Sequence, residues 1–140
     1  MRILGIDYGD ARTGTAITDA LNITVQGLET IYNKGNDKII LKKIDELLEQ
    51  YEINTIVVGY PLNMNGTKSQ RTETTDKFIH KLKCKYNKIK IVTVDERLTT
   101  VAAHKTMNYL DINKNKKRNI VDTISAVYIL ETYLKSVDLS

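Results

Sequence analysis

Three acidic positions stand where carboxylates are costly. Asp7 ends the apolar run Ile3-Leu4-Gly5-Ile6, Asp95-Glu96 ends IKIVTVDE, and Asp122 interrupts the stretch NIVDTISAVYIL. A carboxylate at the mouth of a core strand or on an apolar helix needs a partner or a cation. Converging carboxylates repel one another, so they stay charged together only around strong positive charge. Mg²⁺ suits such a set, with Mn²⁺ as its alternative: it takes oxygen ligands, keeps several waters and completes its octahedron with substrate phosphate oxygens. Two such ions would activate a water and stabilise the leaving oxygen of a phosphodiester. Each acid also has a structural reading. Asp7 suits an Asx turn before Gly9, Asp122 a helix N-terminus, and Asp95-Glu96 a local ion pair with Arg97.

Positive charge is unevenly spread. The net charge is +4 and the pI about 9.1, yet Asn113 to Asn119 reads NKNKKRN, with four cations in seven residues. Basic stripes of this kind are the footprint of phosphate-backbone binding. Lys114, Lys116, Lys117 and Arg118 shortly precede Asp122, so one arrangement would explain both the acids and the basic loop. Lys77 to Lys90 holds six lysines in fourteen residues and reads as solvated helix surface.

The elements that must position these groups follow from apolar spacing. RILGIDYG and TGTAITD (13–19) read as strands joined by a Gly-containing turn, and VQGLETIY (25–32) as a third, more polar strand. Residues 37–52 carry Ile40, Ile44, Leu47, Leu48 and Tyr51 at helical spacing. NTIVVGY (54–60) is a buried strand closed by Pro61, residues 68–86 a helix, and IKIVTVD (89–95) the last strand. Thr99 or Thr100 caps a helix to about Leu110, and 119–136 form the final, most apolar helix. The order βββαβαβαα predicts an α/β fold: a mixed five-stranded sheet with helices on both faces. Ligands bind outside the carboxyl ends of strands in such sheets, so Asp7 and Asp95-Glu96 are expected to face one crevice. The G-x-G-x-x-G pattern is absent, which argues against dinucleotide binding.

The chain's 140 residues fit one domain, 1–140, with an ordinary soluble composition of 41% hydrophobic and 27% charged residues. No apolar run approaches the roughly 20 residues needed to span a bilayer, and the N-terminus does not read as a secretory signal. Cys84 is the only cysteine, so no internal disulfide is expected and a cytoplasmic location fits. Cys84 reads as an ordinary thiol without a partnered base. His80 and His104 are single histidines without metal-ligand spacing. Tyr8 suits either stacking on a base or packing against the hairpin.

With these residues in place, GIDYGDARTGTAITD, VVGYPLNMNGTKSQR, TVDERLTT and VDTISAVYILETYL resemble, in order and across the chain, the four blocks of the YqgF (RuvX-like) family. The resemblance implies an RNase H-like fold and a bacterial cytoplasmic nuclease that trims the 5′ end of precursor 16S rRNA. By position it implies Asp7, Glu96 and Asp122 as the acids holding the metal, with Asp95 as an alternative ligand or a group that orients its neighbours. It also implies Arg12 and Arg97 near substrate phosphates. Related resolvases and RNases H carry a catalytic carboxylate at about the fourth strand. Here Gly59-Tyr60-Pro61-Leu62-Asn63 stands instead, with Asn63 the nearest polar group, and Glu96 becomes the required substitute. Three functions compete on these grounds: a Mg²⁺-dependent nuclease on precursor rRNA, a resolvase of branched four-way DNA, and a module that binds RNA without cutting it. No segment reads as a dedicated dimer helix, so a monomer or weak dimer is expected.

Overall fold

The computed structural model describes residues 1–97 and 114–138, with the side chains of the second stretch described over 123–137. The helix expected from Thr99 or Thr100 to Leu110, with His104, lies outside the described residues. The elements run β1 (Arg2–Asp7), β2 (Gly14–Thr18), β3 (Val25–Gly27), α1 (Asp37–Gln50), β4 (Ile53–Tyr60), α2 (Gln70–Lys85), β5 (Lys90–Asp95) and α3 (Lys114–Asp138). The strands form one mixed sheet in the order β3-β2-β1-β4-β5. β1, β2 and β3 make the antiparallel meander, while β4 joins β1, and β5 joins β4, in parallel. The carboxyl ends of β1, β4 and β5 therefore emerge side by side.

β1 lies at the centre of the sheet and is covered on both sides, which is why it reads as an unbroken apolar run. Its alternate residues serve two cores. Leu4 and Ile6, with Ile56 and Val58 of β4, pack under Ile40, Ile44 and Leu47 of α1 and Phe78, Ile79 and Leu82 of α2. Ile3 and Val57 face Ala126, Ile129 and Leu130 of α3. On the α3 side glycines let the helix approach the sheet closely. A Cβ on Gly5 would lie 2.5 Å from Leu130 Cγ, and one on Gly27 would collide with the Thr123 methyl.

Two expectations change. The third strand extends over Val25–Gly27 only; beyond it a single bridge, Thr13 to Ile31, continues the pairing. The reason is local: the Leu28 amide still bonds the Thr15 carbonyl in register at 2.9 Å, but the Thr15 hydroxyl then takes the Glu29 carbonyl at 3.1 Å, and the pairing resumes one residue out of step at Thr13 and Ile31. The basic segment is also no loop, since α3 begins at Lys114. Asp122 accordingly falls in the third turn of that helix and not near its start, so a role at the helix N-terminus is removed. Lys and Arg are good helix formers, and nothing in KNKKRN breaks the helical run.

Candidate nucleic-acid and metal site

Strand parity decides which acids meet. Along β1, residues 3 and 5 face α3, so Asp7 continues the same row; along β4, Val57 and Gly59 do likewise. On β5, Val92 and Val94 pack with the α3 core, and Glu96 extends their row, whereas Asp95 has the opposite parity. Pairing of Ile6 with Val58 brings Asp7 beside Gly59, and pairing of Gly59 with Val94 brings the end of β5 to its other side. Glu96 then lies across β4 toward Asp7. A Cβ on Gly59 would stand 2.5 Å from Glu96 Oε1 and 2.6 Å from Ile129 Cδ1, so only glycine leaves this path open. The strand-four position without a carboxylate is the gap through which Glu96 arrives.

Arg71 joins the two acids. Its Nη2 is 3.6 Å from Asp7 Oδ1 and 3.7 Å from Glu96 Oε2, and 3.5 Å from the Tyr8 carbonyl oxygen. The carboxylates are nearly buried, at 11% and 6% side-chain exposure, while Arg71 is 57% exposed. Arg71 occupies the first turn of α2, whose start is tightly tied. Ser69 caps the helix by accepting from the Thr72 amide at 3.2 Å, the Ser69 amide donates to Thr72 Oγ1, and the Thr72 hydroxyl donates to the Pro61 carbonyl. Sequence reasoning missed Arg71. The available signal is a cation in a helix's first turn, where the macrodipole disfavours it, at the end of VVGYPLNMNGTKSQR.

Beside the acids lies a recess of about 190 Å³ lined by Asp7, Tyr8, Gly9, Asp10, Arg12 and Arg71, with Ala11. The connection carrying Arg12 is a six-residue loop held from within, not a tight hairpin. Asn33, fully buried, donates to the carbonyls of Gly9 and Asp10 at 2.9 and 3.0 Å and accepts from the Thr13 hydroxyl at 3.1 Å. Gly9 belongs to this turn because a Cβ there would strike the Arg12 carbonyl. The structure thus brings Arg12 and Arg71 to one recess with Asp7.

Asp95 is placed elsewhere. It receives Arg97 through the backbone amide at 2.9 Å and through Nε and Nη2 at 2.8 and 2.6 Å. This guanidinium pairing holds the Asp95 carboxyl below its ordinary value and raises Arg97. Arg97 Nη1 also reaches the Met64 carbonyl at 3.4 Å, so it braces the loop after β4. Asn63 bonds within that loop, its side-chain amide donating to Thr67 Oγ1 at 3.0 Å. Tyr8 is buried, stacks on Phe78 at 4.4 Å and donates to Asp37 Oδ1 at 2.6 Å; it packs under α1 and α2, not against the hairpin. Burial raises its hydroxyl pKa, followed by the Asp37 bond. Cys84 does have a neighbouring base, with Sγ 3.5 Å from His80 Nε2, but on the exposed surface of α2. The side chains of Asp122, Lys114, Lys116, Lys117 and Arg118 lie outside the described residues.

Among the described residues, Asp7 and Glu96 offer nearly buried carboxylate oxygens to this corner, and Arg71 already lies against both. That donor set fits a hard divalent ion that takes oxygen ligands and keeps open positions for water or phosphate. Among the described residues no group of three His, Cys, Asp or Glu side chains gathers as a metal site. No described helix is long and apolar enough to cross a membrane.

Comparison with known proteins agrees with this architecture. A protein of Ruminiclostridium cellulolyticum is 52% identical over 137 residues, covering 98% of this chain and 96% of that protein, and one of Acetivibrio thermocellus is 51% identical over 136 residues, covering 97% and 96%. Both are named, provisionally, as pre-16S rRNA nucleases. The structure of Thermus thermophilus RuvC superposes with a TM-score of 0.55 at 10% identity, covering 98% of this chain and 97% of that one, a likeness of fold. The fold is RNase H-like. A family model described as "RuvX: Holliday junction resolvase" matches residues 1–136, and the chain therefore belongs to the RuvX (YqgF) family.

Proposed function

We propose that this protein is a metal-dependent nuclease that hydrolyses phosphodiester bonds and processes the 5′ end of precursor 16S rRNA. One observation carries the reading: parity and the Gly59 gap bring Asp7 and Glu96 together at the carboxyl ends of β1 and β5, where Arg71 lies against both. The names of the relatives supply the substrate. Asp7 and Glu96 hold Mg²⁺ or Mn²⁺, with Asp122 of α3 as the third acid. When bound, the ion supplies Lewis acidity and a water of lowered pKa. Arg12 and Arg71, which both line the recess, orient the scissile phosphate and balance its charge. Lys114, Lys116, Lys117 and Arg118 form the first turns of α3 and grip the neighbouring backbone. Asp95 and Arg97, locked on each other, stiffen the strand end that presents Glu96.

The family description favours a second reading, cleavage of four-way DNA junctions. One experiment separates them: incubation with 5′-extended 16S precursor and with a four-way junction, with and without Mg²⁺, beside Asp7→Asn. Divalent-dependent cutting of the precursor, lost in Asp7→Asn, supports the proposal. Paired symmetric nicks in the junction alone would shift it to resolution. Binding of RNA without products under any ion would make the protein a non-cleaving module. Wild-type cutting by Asp7→Asn would remove the metal site.

A further inference from the structure

Arg71 is a large flexible cation whose root is fixed and whose head is 57% exposed, set against two nearly buried carboxylates. Its contacts with them, at 3.6 and 3.7 Å, are longer than tight hydrogen bonds, and neither is bidentate. By contrast Arg97 grips Asp95 at 2.6 and 2.8 Å through two of its nitrogens. The two arginines differ in kind: one is locked in place, the other is held by two long ion pairs and a long hydrogen bond to the Tyr8 carbonyl at 3.5 Å. A divalent ion entering between Asp7 and Glu96 would neutralise the charge that holds Arg71 and repel its guanidinium. The same guanidinium already borders the recess shared with Arg12. It therefore has somewhere to go, and what it would meet there is the anionic backbone of the substrate.

We propose that Arg71 is a charge placeholder that couples metal binding to nucleic-acid binding. Without metal it stands in for the cation, holding the Asp7–Glu96 pair together. With metal bound it is transferred to a substrate phosphate. Metal and nucleic acid then strengthen one another's binding reciprocally through this one side chain. The inference rests on the metal site proposed above and adds a role for a residue that need not itself hold metal.

The test uses the full chain and two readouts other than cleavage. Mn²⁺ affinity is measured by calorimetry for wild type, Arg71→Gln, Asp7→Asn and Lys77→Gln, the last removing a cation elsewhere on α2. Affinity for a single-stranded RNA is measured by anisotropy with and without Ca²⁺, with the RNA checked for integrity. Arg71→Gln should bind Mn²⁺ roughly three- to tenfold more tightly, as expected for removing two loose, partly exposed ion pairs. The gain in RNA affinity on adding Ca²⁺ should shrink in Arg71→Gln by about threefold or more while persisting in Lys77→Gln. Unchanged or weaker Mn²⁺ binding in Arg71→Gln, an undiminished Ca²⁺ gain, or no gain in wild type would each overturn the coupling. If Asp7→Asn keeps wild-type Mn²⁺ affinity, the metal site itself is wrong; if it loses that affinity while Arg71→Gln matches wild type, only the placeholder role fails.

Discussion

The two faces of the sheet are built for different ends. Under α1 and α2 lies the larger core, with Phe78, Leu82, Ile40 and Ile44 fully buried and no glycine on the strands beneath them. Under α3 the core formed by the described residues is smaller, and Gly5, Gly27 and Gly59 bring helix and sheet into close contact. Asp7 and Glu96 belong to the second face. Among the described residues, one side of the sheet thus carries the larger apolar packing, while the other gives up side-chain volume so that acids, helix and arginine converge. Burying charge is costly, and it is affordable here because the opposite face is well packed.

Substitutions can break or sharpen this division. Phe78→Ala should cost about 3–5 kcal/mol by leaving a cavity in the larger core. Urea denaturation should show that loss, while cleavage per folded molecule stays near wild type; an equal loss in cleavage would mean the faces are not separable. On the α3 face, Asp7→Asn should lower cleavage more than about a hundredfold, beyond the effect typical of partners that only orient metal ligands. Its unfolding midpoint should stay level or rise, because a nearly buried charge has been removed. Gly59→Ala lies between these cases. Its Cβ must displace Glu96 and Ile129, at about 1–3 kcal/mol of overpacking, with a loss of cleavage larger than that destabilisation explains.

The smallest effect concerns acid. Asp45 is held below its ordinary value of 3.8 first by Lys85 and then by Tyr86, which bond it at 2.8 and 2.7 Å across the α1–α2 contact. A carboxyl lowered on folding stabilises the native state above its unfolded value and loses that contribution as pH falls through the folded one. The side chain is 46% exposed, so Asp45→Asn should cost only a few tenths of a kcal/mol at pH 7. That difference should shrink in parallel urea titrations as the pH falls below the ordinary value of 3.8 and through the lowered folded one.

Much of this fold is legible in apolar spacing. The strands β1, β4 and β5 read directly because central parallel strands must be apolar on both faces, and the helices α1 and α2 read from their periodicity. Parity was also available: Asp7 shares a row with Ile3 and Gly5, and Glu96 with Val92 and Val94, which separates Glu96 from Asp95 without coordinates. What spacing could not reveal were the groups whose role depends on distant chain. Asn33 looks like one more turn residue in NKGN, yet it organises a loop more than twenty residues earlier. Gly59 reads as a strand glycine until Glu96 is seen to pass over it. Arg71 reads as helix surface because the acids it serves come from two other elements. The basic segment reads as a loop because charge density resembles solvent exposure, whereas lysine and arginine also extend helices.

The anchored start of α2 has a consequence in time. Thr72 ties the first turn to the Pro61 carbonyl and Ser69 closes the cap, so the backbone under Arg71 is fixed to the end of β4. Any exchange of its guanidinium between partners is then a change of side-chain rotamers, on the order of picoseconds to nanoseconds, and not a loop rearrangement on microsecond scales. Even a slow nuclease step would find this side chain already equilibrated, so its rearrangement adds no delay to turnover.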